Sequence, residues 1–592
     1  MQDNKRLNAG ALRCGVTIDG MDYLYGGLPD GLELAVEIAP PAWQDGYGAR
    51  MRLHNRSSRP VRLDGFFWDA ATDELAPSAN GFSSCYLDGW SMPTPCGARL
   101  FSEPDFRFNP DYLKFAVSEP KDYRAEQPGR FRAENLVVFQ DGAAGEGSQQ
   151  SPSLIFAFVT SEHQFGRFVI DADASARRAA VRCISSCDGI MVPPGGQVRS
   201  EALSIGLADN REDAEARIAG YAAHWGRAMN ARLNHPAPLG WCSWYYYFEK
   251  ITEEDMVENI DFLKAHRAEY PVKYIQLDDG YQFDQGEWLV TNEKFPRGLS
   301  WLAGYAKDAG FTPGLWLAPF MVSERCALWR EHPEWLIHDA DGKIIQESPW
   351  RTGMCGILDA THPGAWEWLR GLFAKLREIG FDYVKLDFLV NACAERKGVL
   401  HDPMATRCDL LRRGLQAIRS GFGEDGLILT CTAPTAAVVG LADFNRIGTD
   451  ITPYWCGEND ADEAPNIPNV CRNVINRAYM NRRLFVSDPD TIIVREDNTR
   501  LSEQECALWR DAIMLGGGSL LLSDRMSTLT PKRAAWLQEI IRHHDEYETV
   551  PVDRAWHCPP RIWHGVSRTG GGVVEGRFDF AGHSCELAEV RP

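Results

Sequence analysis

From Pro238 onward, short strand-like runs alternate with longer helical ones, and that alternation leaves few folds open. The strand runs are "LGWCSWY", "YIQLDD", "TPGLWLAP", "YVKLDFL", "LILTCTAP", "FNRIGTD", "LFVSD" and "SLLLSD". Helical patterns lie between them at 252–268, 299–310, 363–379, 404–420, 470–482 and 502–514. Eight strands alternating with helices over roughly 300 residues predict a (β/α)8 TIM barrel at 238–544. Its largest insertion, 320–362, follows the third strand. A chain of 592 residues exceeds what one core organises, so further domains are expected. Residues 1–210 carry short β-rich segments ("LELAVEIAP", "ARMRLHN", "NLVVFQD", "SLIFAFVT", "GRFVIDAD") between turn residues, the pattern of a β-sandwich. "GAAGEGSQQSPS" (142–153) reads as a loop by composition. The helical run 211–233, ended by "NHPAP", fills a linking segment at 211–237. The tail, 545–592, reads as hairpins of a small C-terminal antiparallel β domain.

Charge and cysteine usage narrow the function. A net charge of −20 argues against a nucleic-acid partner, which needs a basic footprint. No apolar stretch reaches the length of a membrane span, and the first residues lack the apolar core of a signal peptide. The 16 cysteines are scattered, with no zinc spacing, which predicts reduced thiols and a cytoplasmic protein. No Walker sequence, dinucleotide fingerprint, HxH or HExxH is present, so neither metal nor cofactor is expected. "HDADGKII" resembles a calcium loop faintly, but Asp341-Gly342 reads better as a hairpin turn.

The charged residues in the strand runs are the informative ones. "YVKLDFLVN" holds Lys385 and Asp387 two apart, hence on one face of a strand that is otherwise apolar. Burying charge is costly unless it is paired or functional. Asp278 and Asp279 end the second strand run, while Arg446 and Asp450 share a face in the sixth. In such barrels active sites lie at the C-terminal ends of the strands. Scattered ion pairs would not all choose that end. Two carboxylates from different strands facing one pocket are the apparatus of glycoside hydrolysis, about 5–5.5 Å apart in the retaining version. The nucleophile must stay ionised, which Asp387 beside Lys385 satisfies. The acid/base must start protonated, a role for Asp450, although Arg446 on the same face opposes it. That conflict disappears if the guanidinium points at the substrate.

These motifs, together with "SDPDTIIVR", are similar in order and register to the barrel motifs of α-galactosidases of glycoside hydrolase family 36, over about residues 238–525. The "LTCTAP…VGLADFNRIGTD" segment resembles the shorter prokaryotic members. The resemblance implies an N-terminal β-supersandwich, the barrel and a C-terminal β domain. It implies a retaining mechanism on terminal α-linked galactose, with Asp387 as nucleophile and Asp450 as acid/base. It further implies that Asp278 and Asp279 accept from the O4 and O6 side of the sugar, and that Lys385 and Arg446 donate to ring hydroxyls. Trp316 would form an apolar wall, and Trp244, Tyr247 and Cys431 are further first-contact candidates. Where the family often lends an aromatic from the N-terminal domain, this chain has "NGFSSCYLDGWSM", leaving Phe82 or Trp90 for that part. The small residues of "APTAAVVG" leave room for a 2-acetamido sugar. An α-N-acetylgalactosaminidase, an α-galactosyl transferase and a non-catalytic glycan-binding relative therefore stand as alternatives. The expected partner is an α-galactoside oligosaccharide or glycoconjugate, with no nucleic acid or membrane.

Overall fold

The computed structural model describes residues 7–77, 79, 81–123, 126–142, 150–347, 353–394, 398–459 and 461–590. The N-terminal region folds as two antiparallel sheets. One has six strands in the order Met21–Leu24, Arg13–Ile18, Val61–Ala71, Arg178–Val192, Phe165–Asp173 and Arg130–Glu134. The other has eight, among them Leu32–Ile38, Tyr47–Asn55, Ser153–Phe158 and Leu203–Ala208. Tyr47–Asn55 shows why: alternate side chains, Ala49, Met51 and Leu53, are buried while those between them are partly exposed. Trp68, Phe156, Phe158 and Phe168 fill the space between the sheets, each worth about 1.5–3 kcal/mol of apolar burial. Part of the 142–153 loop lies outside the described residues.

The linking helix, Arg211–Ala228, starts at Asn210, whose side chain accepts from the Asp213 N–H. It ends five residues before the sequence pattern suggested. Asn230 adopts a left-handed conformation (φ 55°) and the Ala231 N–H returns to the Gly226 carbonyl at 2.7 Å, a Schellman closure. Tyr221 joins this helix to the sandwich through its hydroxyl, which donates to the Phe158 carbonyl at 2.9 Å.

Beyond it lies the barrel. Its parallel strands are Leu239–Cys242, Tyr274–Leu277, Thr312–Leu317, Tyr383–Leu386, Leu427–Thr430, Phe444–Arg446, Val486–Asp488 and Leu520–Leu522. The seventh breaks at Pro489–Asp490 and resumes as Thr491–Ile492, which pairs with Leu520–Leu522. That last strand also pairs with the first, so the ring closes. Helices such as Glu253–Ala265, Arg407–Phe422 and Glu503–Gly516 begin with reciprocal capping boxes at Thr252/Asp255, Thr406/Asp409 and Ser502/Glu505. The fifth strand is followed by only one turn of helix, Thr435–Val438, and the eighth by Pro531–Arg542. The insertion after the third strand carries an antiparallel sheet of Met321–Ser323, Cys355–Ile357 and Gln346–Glu347. In it the Asp339 side chain accepts from the Asp341 and Lys343 N–H groups around Gly342, the expected turn.

The C-terminal strands Tyr547–Pro551, Ile562–Ser567, Val573–Asp579 and Ser584–Val590 form an antiparallel meander. The buried Trp563 and Phe578 stack within it, ring centroids 4.1 Å apart, in the core cluster that also holds Leu515 of the helix Glu503–Gly516. Among the described residues no helix is long and apolar enough to cross a membrane.

Candidate active site at the carboxyl ends of the barrel strands

The second, fourth and sixth strands stop at Leu277, Leu386 and Arg446, one residue or more before the carboxylates assigned to them. Asp278 and Asp387 therefore stand just past the rim, where backbone N–H groups no longer used by the sheet can turn toward them. Asp278 is buried and accepts from Lys385 Nζ at 3.0 Å and Gln276 Nε2 at 2.6 Å, with Cys242 Sγ at 3.5 Å. Its other oxygen accepts from the Asp279 N–H at 3.0 Å. Asp279 in turn accepts from Gln282 Nε2 at 2.7 Å. Burial works against the Lys385 ammonium, but Asp278 together with its other neighbours, Asp387 among them, outweighs it, so Lys385 stays charged.

Asp387 has a different surrounding. One oxygen accepts from the Phe388 N–H at 2.7 Å and Thr432 Oγ1 at 2.6 Å, the other from Trp316 Nε1 at 3.1 Å. Phe388 and Thr432 both hold left-handed backbones, φ 54° and 45°. Burial pushes the Asp387 carboxyl up; the Lys385 charge and these three hydrogen bonds outweigh it and hold it below the ordinary aspartate value. Trp316, buried beside Lys385 in strand register, is itself held by Trp288, ring centroids 5.9 Å apart.

Arg446 departs from the expectation that it would point at substrate. Its guanidinium spends every nitrogen on carboxylates: Nε to Asp488 at 2.9 Å, one terminal nitrogen to Asp450 at 3.0 Å, the other to Asp490 at 2.9 Å. The strand beside it explains this, since Arg446 pairs in register with Asp488 and the chain then turns back at Asp490 (φ 89°). Even so, Asp450 is raised: desolvation by the surrounding walls, although they leave its side chain part-open, and the Asp387 charge prevail over Arg446. Neither Asp488 nor Asp490 was assigned a role from sequence, although both lie in the quoted "SDPDTIIVR" run. Thr432 was missed as well.

Of the six carboxylates so gathered, Asp278, Asp279, Asp488 and Asp490 are at most 2% exposed, while Asp387 is half-buried and the Asp450 side chain is 46% accessible. The structure thus brings together Asp278, Asp279, Trp316, Lys385, Asp387, Arg446 and Asp450. Cys431 is buried among them, its thiol 3.8 Å from Thr432 Oγ1. Trp244 is half-buried against Phe248, ring centroids 5.3 Å apart, and Tyr247 turns its hydroxyl to Asn259 of the helix behind, at 2.8 Å. Neither N-terminal aromatic reaches an open pocket: Phe82 packs on Phe139 and Trp90 on Phe165, each 1% exposed. The loop carrying Trp90 instead abuts the segment after the fifth strand, where the Thr435 N–H donates to the Trp90 carbonyl at 2.9 Å. Clefts of about 880 and 350 Å³ lie away from these carboxylates, at the sandwich–barrel and sandwich–C-terminal junctions. Volume alone would point there, but the convergence of charge points to the strand ends. Among the described residues no group of His, Cys, Asp and Glu is arranged to hold a metal.

Residues 235–403 match the Melibiase family model. The chain is 33% identical over 118 residues to the α-galactosidase AgaA of Geobacillus stearothermophilus, covering 19% of this chain and 16% of that protein. It is 35% identical over 108 residues to the A type blood α-D-galactosamine galactosaminidase of Flavonifractor plautii, covering 18% and 10%. These alignments thus span less than a fifth of either relative's length. The α-galactosidase TtGalA of Thermus thermophilus, solved with p-nitrophenyl α-D-galactopyranoside, superposes with a TM-score of 0.67 at 21% identity, over 96% of this chain and 99% of that one. The fold is therefore that of the family 36 α-galactosidases, and the chain resembles them in its barrel sequence.

Proposed function

We propose that this chain is an exo-acting, retaining α-galactosidase that releases terminal α-D-galactosyl residues through a covalent glycosyl-aspartate. One observation carries the reading: of the strand-end carboxylates only Asp387 and Asp450 stay accessible, and their surroundings push them in opposite directions, Asp387 down and Asp450 up. Such a divergent pair is how one site supplies a nucleophile and an acid at the same pH. Asp387 attacks the anomeric carbon while Asp450 gives its proton to the departing glycosidic oxygen. Asp450, now a carboxylate, takes a proton from water as that water displaces Asp387 from the opposite face, the one the aglycone left, so two inversions retain the configuration. Asp278, Asp279, Lys385 and Trp316 would line the sugar subsite, with α-galactoside oligosaccharides or glycoconjugates as substrates.

The small buried residues after Thr432 and the similarity to a galactosaminidase support a second reading, a 2-acetamido sugar in the same subsite. Transfer to a sugar acceptor would pass through the same intermediate. Sixteen free cysteines, most of them buried, support a reducing, cytoplasmic setting.

Initial rates on matched aryl α-galactoside, α-N-acetylgalactosaminide and α-glucoside test the assignment, with chelator expected to be without effect. Asp387→Asn should reduce turnover by on the order of 10⁴-fold or more while the thermal midpoint holds. An undiminished Asp387→Asn enzyme would refute it. Asp450→Asn should impair glycosylation less for aryl galactosides with good leaving groups than for natural oligosaccharides, because only poor leaving groups need the proton.

A further inference from the structure

Arg446 carries one positive charge and faces three carboxylates. Asp488, buried beside its Nε and also accepting from Ser519 Oγ at 2.6 Å, is held ionised and balances that charge. Asp450 and Asp490 then compete, from neighbouring guanidinium nitrogens, for a cation that is already neutralised. Two carboxyls so placed cannot both ionise cheaply, and the proton they retain belongs to the pair.

Asp490 is also built into the backbone that presents Asp450. One of its oxygens accepts from the Ile451 N–H at 2.9 Å and from Tyr245 Oη at 2.5 Å, the other from the Thr491 N–H at 2.8 Å. Its φ of 89° is uncommon for a residue other than glycine. It is wholly buried, so it cannot itself meet a leaving group.

We infer that Asp490 is a positioning residue which, by pinning Ile451 and competing with Asp450 for Arg446, keeps one proton on the pair and so available at Asp450. This rests on the reading of Asp450 as acid/base. The other charges facing the pair are Lys385 and Asp387 from the fourth strand and Asp278 from the second; Tyr245 and Cys431 face Arg446 from the first and fifth. Consistent with the geometry, burial, Asp450 and Asp488 together push Asp490 up to about 7 against Arg446 and Tyr245. The shared arrangement also removes the conflict that Arg446 posed for a protonated Asp450: the arginine's charge is already claimed.

The test is the pH profile of kcat/KM for wild type, Asp490→Asn and Tyr245→Phe on an aryl α-galactoside with a poor leaving group. In wild type the alkaline limb marks the last proton leaving the pair. Asn tolerates the left-handed backbone but removes the competitor, so in Asp490→Asn that limb should move to lower pH by a unit or more. Tyr245→Phe removes a donor to ionised Asp490 and should move it to higher pH. A merely structural role would lower rates at every pH and leave the limb in place; limbs unmoved, or moved in the same direction, overturn the inference. No wild-type turnover on any α-galactoside would overturn the functional reading instead. The linkage is then read from the ¹³C carboxyl titration of Asp450, assigned by its loss in Asp450→Asn. A titration displaced to lower pH in Asp490→Asn sustains the inference, and an unchanged one overturns it.

Discussion

At Thr432 two opposing effects meet in one residue. Its hydroxyl donates to Asp387 at 2.6 Å, while its β-branched side chain sits on a backbone with φ 45°. A hydrogen bond to a charged group contributes about 1.5–3 kcal/mol; a non-glycine residue in this region costs about 1–3 kcal/mol. Thr432→Ala loses the bond and keeps most of the strain. Thr432→Gly loses the same bond and releases the strain, against roughly 0.5–1 kcal/mol of extra unfolded-chain entropy. Both should lower kcat, yet the glycine variant should be the more stable of the two by about 0.5 kcal/mol or more in urea unfolding. The reverse order would mean the left-handed conformation is not strained here. Sequence could not disclose this residue, because nothing in "TCTAP" signals a left-handed threonine. The strand-end charges were legible, since Lys385, Asp387, Arg446 and Asp450 interrupt apolar runs that period two makes readable. Asp488 and Asp490 were not separable from them by pattern. Their part depends on where Arg446 points, and that is set by strand register.

At the scale of elements, the linking helix offers a paired experiment on its two interior glycines. Alanine is favoured over glycine inside a helix by about 1 kcal/mol. A Cβ at Gly220 would meet nothing within 4 Å, whereas one at Gly226 would stand 1.9 Å from the Arg483 carbonyl oxygen. Backbone cannot yield as a side-chain tip does, so overpacking of about 1–3 kcal/mol outweighs propensity at Gly226. Gly220→Ala should raise the urea midpoint and Gly226→Ala should lower it; a stabilised Gly226→Ala would show that this helix is not seated on the barrel. Composition alone cannot distinguish the two glycines. The same limit marks the rest of the fold. The β/α alternation was readable because barrel strands are apolar and bounded by turn residues, and the observed ring bears it out. Ends were less so. The 211–233 pattern ran past Ala228 because amphipathic spacing continues after Asn230 has already closed the helix. The split of the seventh strand falls at Pro489, which has no N–H to give the ladder, and Asp490 beyond it pairs with Arg446.

Across the whole molecule, Arg477 is one of the buried side chains that tie the sandwich to the barrel, as Arg407 is through Asp188 and the Ser118 carbonyl. Arg477, fully buried at the end of the helix Ile467–Asn476, donates to the carbonyls of Met92 at 3.0 Å, Ile447 at 2.8 Å, Ser91 at 3.0 Å and Thr94 at 3.2 Å. Its Nε lies 3.5 Å from buried Asp88. The loop it clasps also touches the segment after the fifth strand, through the Ser91–Pro434 bridge, close in sequence to Thr432. Removing Arg477 takes the counter-charge from buried Asp88 and the side-chain donor from the Ile447 carbonyl, while the Met92 and Thr94 carbonyls keep Asn473 Nδ2 and that of Ser91 keeps the Thr94 N–H, so Arg477→Met should cost about 3–5 kcal/mol. It should also lower kcat, since the loop would no longer brace the residues that hold Asp387. Removing both charges is cheaper than removing one. Arg477→Met/Asp88→Asn should therefore recover on the order of 1 kcal/mol or more of the loss, read as a coupling in a double-mutant cycle of urea unfolding. Strictly additive losses would place the cost in the carbonyls alone. An Arg477→Met enzyme with unchanged midpoint and kcat would mean that the barrel holds its strand ends without the sandwich.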